Sequence, residues 1–405
     1  MSTSTHRAWL EAELFRLLEF GRDVAHPRGG AAVLGDRGEP LLEQPVHLWI
    51  TARMVHVYAI GSLLGVPGCR PLAEDVARGL RTTLADDEHG GWFSAVGADG
   101  RPVGEAKSCY DHAFALLAGS TAAVAGLDGA DALLERAQAV FLERFWDDAA
   151  GMCVDTIDRD WTTVDPYRGI NGNMHAVEAM MAATDATGDV AWARRAGRVA
   201  GRVATVAAAH DWRIPEHYDA GWTPLPEHNR DRPADPFKPY GATVGHGLEW
   251  ARLLLQVEAT LGHEAPPGLA DAATRLFDRA VTDGWAPDGA PGFVYTTDWS
   301  GTPVVRQRMH WVAAEAGAAA AALARRTGDP AYEAWYARSW DYIEGHLIDR
   351  DGGSWWHELD PENRPAAGTW SGKPDLYHAV QATLLPRLPL APSIAAAVAS
   401  GLLEG

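Results

Sequence analysis

GGWFSAVG, residues 90–97, returns 61 residues later as GMCVDTI at 151–157, and this repetition decides the fold. Related Gly-rich or aromatic stretches open at Gly29 (GGAAVLG), Trp212 (WRIPEHYD), Gly292 (GFVYTTD) and Gly353 (GSWWHELD). From Gly29 to Gly353 the successive spacings are 61, 61, 61, 80 and 61 residues. Each mark reads as a short strand, and the Ala/Leu-rich sequence between marks is long enough for two helices. Six such pairs are the number needed to close a ring. The expectation is an all-α fold, an (α/α)6 barrel of six helical hairpins with short β-hairpin-like loops, forming one domain over 1–405. Chemistry is expected on the inner helices and the loops that lead into them.

Composition agrees with a large buried interior. The chain has 405 residues, 47 % of them hydrophobic, and a net charge of −19. Only three lysines accompany the arginines, so the surface is not that of a protein that binds nucleic acid or an anionic membrane. The three cysteines, Cys69, Cys109 and Cys153, are widely spaced and indicate neither a disulfide framework nor a zinc knuckle. The opening MSTSTHRAWLEAELFRLLEF reads as small polar capping residues followed by an amphipathic helix, without the basic and apolar segments of a signal peptide. No apolar run reaches membrane-spanning length. A cytoplasmic location is expected.

Six candidate inner helices follow the marks, opening near Pro45, Lys107, Gly172, Thr243, Met309 and Pro374. Several end in Gly or Gly-Asp, a helix stop signal. Their first turns are polar and aromatic, their later turns Ala, Val and Leu. The polar turns should therefore gather at one end of the barrel around a shared cavity. The longer fourth spacing falls in Ala220–Tyr240, AGWTPLPEHNRDRPADPFKPY. So much proline excludes a helix and predicts a long loop over the cavity mouth.

Within those first turns, His246 and Glu249 lie at i and i+3 and share a helix face, as do His175 and Glu178. Asn171 precedes His175 by one turn. Arg53 stands on the first helix, Tyr110 and His112 on the second, His310, Trp311 and Glu315 on the fifth, and Asp375 and His378 on the sixth. In a ring these starts face one another, so imidazoles far apart in sequence can converge. Histidine titrates near pH 6.5, which suits reversible proton transfer at neutral pH. All three lysines (Lys107, Lys238, Lys373) fall just before an inner helix, which hints weakly at a role in the same pocket.

Tryptophan is abundant, with 17 residues, and Trp49, Trp92, Trp222, Trp250, Trp299, Trp311, Trp355 and Trp356 are expected in or near the mouth. Aromatic faces stack on sugar C–H surfaces while carboxylates, Asn and Arg bind hydroxyls, so the pocket reads as a carbohydrate site. There is no Walker A, GxGxxG, GxSxG or HExxH motif. The helical di-metal pattern of ExxH with further glutamates is absent as well. No metal and no cofactor are expected.

The runs NGNMHAVEAMMAATDATGD (171–189), GHGLEWARLLL (245–255) and GKPDLYHAVQATLLP (372–386) together resemble the N-acylglucosamine 2-epimerase superfamily. The similarity covers nearly the whole chain. GKPDLYH, preceded by GGSWWHELDPENRP, is most similar to the aldose–ketose isomerase branch, which includes mannose and sulfoquinovose isomerases. The resemblance implies an (α/α)6 barrel and metal-free 1,2-proton transfer on a reducing sugar by two histidines, here His246 and His378. It implies substrate contacts from Arg53, Tyr110, Asn171, His175, Glu249, Trp311 and Asp375. The shared helix face adds the expectation that Glu249 orients His246. The expected substrate pair is D-mannose and D-fructose. A sulfoquinovose isomerase and a 2-epimerase of a reducing sugar stay open. So do an inverting glycoside hydrolase, which needs paired carboxylates about 6.5–9.5 Å apart, and a non-catalytic binding barrel.

Overall fold

The computed structural model describes residues 4–369 and 371–404. Helices α2 (Leu48–Leu63), α4 (Cys109–Val124), α6 (Ile170–Thr187), α8 (Val244–Leu261), α10 (His310–Thr327) and α12 (Tyr377–Leu384) form the inner wall of an (α/α)6 barrel. They begin within three residues of the expected positions. Each is buried on nearly every side, because it packs against two inner neighbours and an outer helix. Small residues allow the close approach. In α10, Ala316, Ala318, Ala319 and Ala320 are all buried. A side chain at Gly245 of α8 would lie 2.3 Å from the Trp311 ring, so glycine there lets Trp311 reach the barrel axis.

The outer ring consists of α3 (Cys69–Arg81), α5 (Ala130–Val140), α7 (Val190–Ala209), α9 (Leu269–Gly284) and α11 (Pro330–Tyr342), with α1 (Ser4–Phe20) as the sixth member. The sixth hairpin is thus made of the two ends of the chain: α1 packs against α12, burying Leu10, Leu14, Leu17 and Leu18. The sequence reading counted six consecutive pairs. The ring instead closes circularly, since the chain begins on an outer helix and ends on an inner one. After α12 the short helix α13 (Ile394–Ala399) packs against α2, α4 and α6 at the end of the barrel away from the polar helix starts.

The repeated marks are short antiparallel strands. Val46–His47 pairs with Ala95–Val96, Lys107–Ser108 with Thr156–Ile157, Arg168–Gly169 with His217–Tyr218, Ala242–Thr243 with Thr296–Thr297, and Arg308–Met309 with Glu358–Leu359. The strand before each inner helix therefore pairs with the mark of the next repeat. The Lys373 N–H donates to the Leu34 carbonyl at 3.1 Å and closes this belt. Two-residue pairings contribute little stability alone, but they fix where every inner helix begins.

The three lysines have separate duties, none of them in the central cavity. Lys107 donates to Asp86 at 2.9 Å and Lys373 to Asp349 at 2.6 Å, each from a fully buried ammonium. Arg308 does the same at the equivalent place in the fifth repeat, donating to Asp288 at 2.6 Å. Cations two to four residues before an inner helix thus tie the belt to the preceding turn. Lys238 lies 3.7 Å over the Tyr167 ring and 3.5 Å from Asp155. Among the described residues, no helix is long and apolar enough to cross a membrane.

Candidate active site

The polar helix starts surround a cavity of about 710 Å³, a volume that includes its open mouth. Arg53, Tyr110, Asn171, His175, His246, Glu249, Trp311, Asp375 and His378 all line it. The ring therefore brings together both proposed catalytic histidines and all seven expected substrate-contact residues. Phe237, Pro236 and Pro239 of the long loop complete the wall. No helix forms between residues 220 and 240. The loop is fastened by the Pro239 carbonyl, 2.8 Å from His217 Nε2, and by Trp299 Nε1 donating to the Pro226 carbonyl at 2.9 Å.

Two imidazoles in this cavity are each backed by a buried carboxylate. His246 Nδ1 lies 2.9 Å from Glu216 Oε1, and His378 Nδ1 lies 3.2 Å from Glu315 Oε1. Donation from Nδ1–H to a carboxylate fixes the tautomer and leaves the lone pair on Nε2, the state of a general base. The Trp311 ring stands between them, 5.3 Å from His246 and 5.8 Å from His378 by ring centroids. Burial lowers the His378 imidazole below its ordinary 6.5, opposed by Glu315 and reinforced by the Arg53 charge. His175 is held down to about 4 and His357 to about 3, in both cases chiefly by burial. These imidazoles are neutral at physiological pH.

Among the described residues lining the cavity, Arg53 is the one arginine or lysine. Its guanidinium donates to Asp375 at 3.2 Å and to the Tyr110 hydroxyl at 2.9 Å. It also lies 4.4 Å over Phe114 and 4.8 Å over Tyr377. So many fixed neighbours leave it little freedom to reorganise, which is what electrostatic stabilisation of a developing oxyanion requires.

Behind the cavity lies a charged layer. Arg252 forks onto Glu315 (2.8 and 3.2 Å), with Glu249 at 3.6 Å and Glu178 at 4.0 Å. Glu178 also accepts from the Tyr377 hydroxyl and from Gln381 Nε2. Donor atoms of His175, Glu178 and Glu249 fall within 4.8 Å of one another, close enough to consider a metal ion. The Arg252 guanidinium already supplies that cluster with its cation.

A profile of the N-acylglucosamine 2-epimerase (GlcNAc 2-epimerase) family matches residues 29–382. The chain is 52 % identical over 399 residues to a D-mannose isomerase of Thermobifida fusca, covering 98 % of each chain. It is 46 % identical to a D-mannose isomerase of Pseudomonas cannabina pv. alisalensis, covering 98 % of this chain and 97 % of that one. A crystal structure of D-mannose isomerase superposes with a TM-score of 0.86 at 29 % identity, covering 93 % of this chain and 96 % of the other. The chain belongs to the N-acylglucosamine 2-epimerase family. It is an aldose–ketose isomerase of that family.

The strand marks also supply residues to the site, His357 and Tyr295 to the cavity wall and Glu216 behind His246. Glu216 and His357 each immediately precede a mark strand, and their carbonyls accept from the first N–H groups of α6 and α10. Tyr295 enters from the fifth mark. The signal was available: WRIPEHYD, GFVYTTD and GSWWHELD are the three marks richest in chemistry-bearing side chains. The orienting partner of His246 is accordingly Glu216 and not Glu249. The i,i+3 spacing does put Glu249 on the same face, but its carboxylate turns toward Arg252 and His175.

Two other expectations change. Both nitrogens of His112 are engaged outside the cavity, one by the Ser108 carbonyl at 2.8 Å and one by the Trp92 N–H at 3.3 Å. Of the eight tryptophans placed near the mouth, only Trp49 and Trp311 line the cavity. Trp92, Trp250 and Trp355 are fully buried in the core, where a large ring gains more from packing than from a wet rim.

Proposed function

We propose that this isomerase interconverts D-mannose and D-fructose by a metal-free 1,2-proton transfer through an enediol, using His378 and His246. The supporting observation is the pair of carboxylate-backed imidazoles on one sugar-sized cavity, in a chain half identical to D-mannose isomerases. The pyranose first opens, with a proton delivered to the ring oxygen and one removed from the anomeric hydroxyl; His246, held by Glu216, takes this part. His378 Nε2 then removes the C2 proton. The C2–H electron pair forms the C1=C2 bond, and the carbonyl electrons move to O1, which is protonated to give the enediol. Loss of the O2 proton re-forms a carbonyl at C2, and the imidazolium of His378 returns its proton to C1. Arg53 stabilises the oxyanion, while the neutral His175, His310 and His357 and the Asn171 amide serve the hydroxyls.

A single base working on one face gives the ketose, whereas a 2-epimerase must deliver a proton to the opposite face of C2. The unequal surroundings of the two imidazoles favour the first outcome: His378 feels the charges of Arg53 and Asp375, whereas His246 is held by Glu216 and faces Trp311. A sulfonated sugar is less well served. It needs a cation of its own, and Arg53 is already engaged by Asp375.

One-dimensional proton NMR of EDTA-treated protein with D-mannose in D₂O tests this reading. Fructose formed with loss of the C2 proton signal is the expected result. Glucose as sole product would make the enzyme an epimerase. Turnover of sulfoquinovose without turnover of mannose would transfer the substrate assignment.

The acid limb of kcat/KM gives a second check. A base must be unprotonated to act, so activity is lost as pH falls through its folded pKa. Because burial lowers that of His378, the limb should lie below pH 6.5, the ordinary imidazole value. A limb above 6.5 would remove His378 as the base.

A further inference from the structure

We propose that Arg252 is a positioning residue that sets the tautomer of His378 by keeping Glu315 an acceptor at both of its oxygens. The proposal rests on the reading that His378 moves the C2 proton. Arg252 is fully buried on α8, and its fork occupies both oxygens of Glu315 on α10, Nε to Oε2 at 2.8 Å and Nη2 to Oε1 at 3.2 Å. His378 Nδ1 meets that same Oε1 at 3.2 Å. With both oxygens accepting from a guanidinium that cannot lose its proton, the third contact must also be a donation to the carboxylate. His378 therefore carries its proton on Nδ1 and its lone pair on Nε2.

The layer contains three carboxylates for one guanidinium, so the fork also decides which acids stay charged. Burial pushes Glu315 up, but Arg252 and His378 outweigh it and hold it below its ordinary range. Glu178 is likewise held down, by His175, Arg252 and Tyr377 against burial. Glu249, without a fork and with a buried oxygen lacking a hydrogen-bond partner, is pushed well above its ordinary range by burial and by Glu315. The groups facing Glu315 are Arg252 and Glu249 of α8 and His378 of α12, with Glu178 of α6 beyond the guanidinium. Arg53, Asp375, His175, His310 and His357 complete the surroundings of His378. Without Arg252, Glu315 would meet burial as Glu249 does and take up a proton. Its hydroxyl would then donate to Nδ1, moving the imidazole proton to Nε2, and no base would face the sugar.

The test compares Arg252→Met, Arg252→Lys and the double variant R252M/E315Q, each checked for folding by circular dichroism. R252M should lose on the order of 10²-fold in kcat at neutral pH, with KM changed little. Its kcat should recover as pH rises and Glu315 ionises. R252K keeps the charge but not the fork, so it should retain the native pH profile and lose less than R252M. The double variant has no carboxylate to ionise, so its alkaline recovery should vanish. Native kcat in R252M, or a loss equal at all pH values, overturns the proposal. If R252M does not fold, R252K decides: a loss as deep as that of His378→Asn, or a profile displaced to alkaline pH, overturns it. Failure of the underlying reading shows separately, as absence of C2 exchange in the native enzyme or its persistence in His378→Asn.

Discussion

Replacing His378 with asparagine lowers kcat for mannose isomerisation by about 10²–10⁴-fold, the usual range for loss of a general base. Asparagine isolates that loss. Its side-chain amide can still donate to Glu315, so the buried carboxylate is not orphaned and the Arg252 fork is kept. The amide has no lone pair basic enough to take a carbon acid's proton. KM should move much less than kcat, because Arg53, Asp375, Tyr110 and the other lining groups remain. Exchange of the C2 proton in D₂O should fall in parallel with fructose formation, since both need the same abstraction. Retention of exchange at near-native rate would give the abstraction to His246 and leave His378 a hydroxyl partner.

Replacing Lys373 with methionine costs about 3–5 kcal/mol of folding stability, the loss expected when one partner of a buried ion pair is removed. The ammonium is wholly buried and donates to Asp349 at 2.6 Å, to the Asp36 carbonyl at 2.8 Å and to the Gly353 carbonyl at 2.5 Å. Methionine fills the space but leaves a buried carboxylate and two carbonyls without their donor. The same change at Lys107 should cost less, because Asp86 keeps a second cation in Arg159, at 3.0 Å. Denaturant midpoints at unchanged m-value measure both. Lys373 also lies in the segment that closes the belt and precedes Asp375 and His378, so the variant should lose activity below its unfolding midpoint too. Native midpoints in both variants would show that the belt is not held by these lysines, and equal losses would show that Arg159 does not spare Asp86.

The fold was legible because its cause is repetitive. A belt of short strands every 61 residues and small residues deep in each inner helix are local patterns that any window of the chain displays. The helix-start residues were legible for the same reason. A ring forces equivalent positions to face one axis, so Arg53, Tyr110, His175, His246 and His378 could be placed in one cavity without a single contact being known. The proline-rich loop was placed at the mouth by length and composition alone, and Phe237 and its neighbouring prolines stand there.

Pairings across the ring were not legible. Glu216 and His246 are 30 residues apart, one beside a strand mark and one on α8, whereas Glu249 sits one turn away on the same helix; periodicity can only nominate the nearer carboxylate. His112 looked as suitable as His175, but the Ser108 carbonyl and the Trp92 N–H occupy both of its nitrogens. The chain by itself determined the barrel, the end of it that is polar and the side chains that face the axis, because these follow from period, patterning and helix geometry. Only the tertiary structure decided which carboxylate backs which imidazole, which cations stiffen the belt and which acid lies against Arg252. Those choices depend on distances of a few ångströms between residues on different hairpins, where hydrogen bonding and desolvation act.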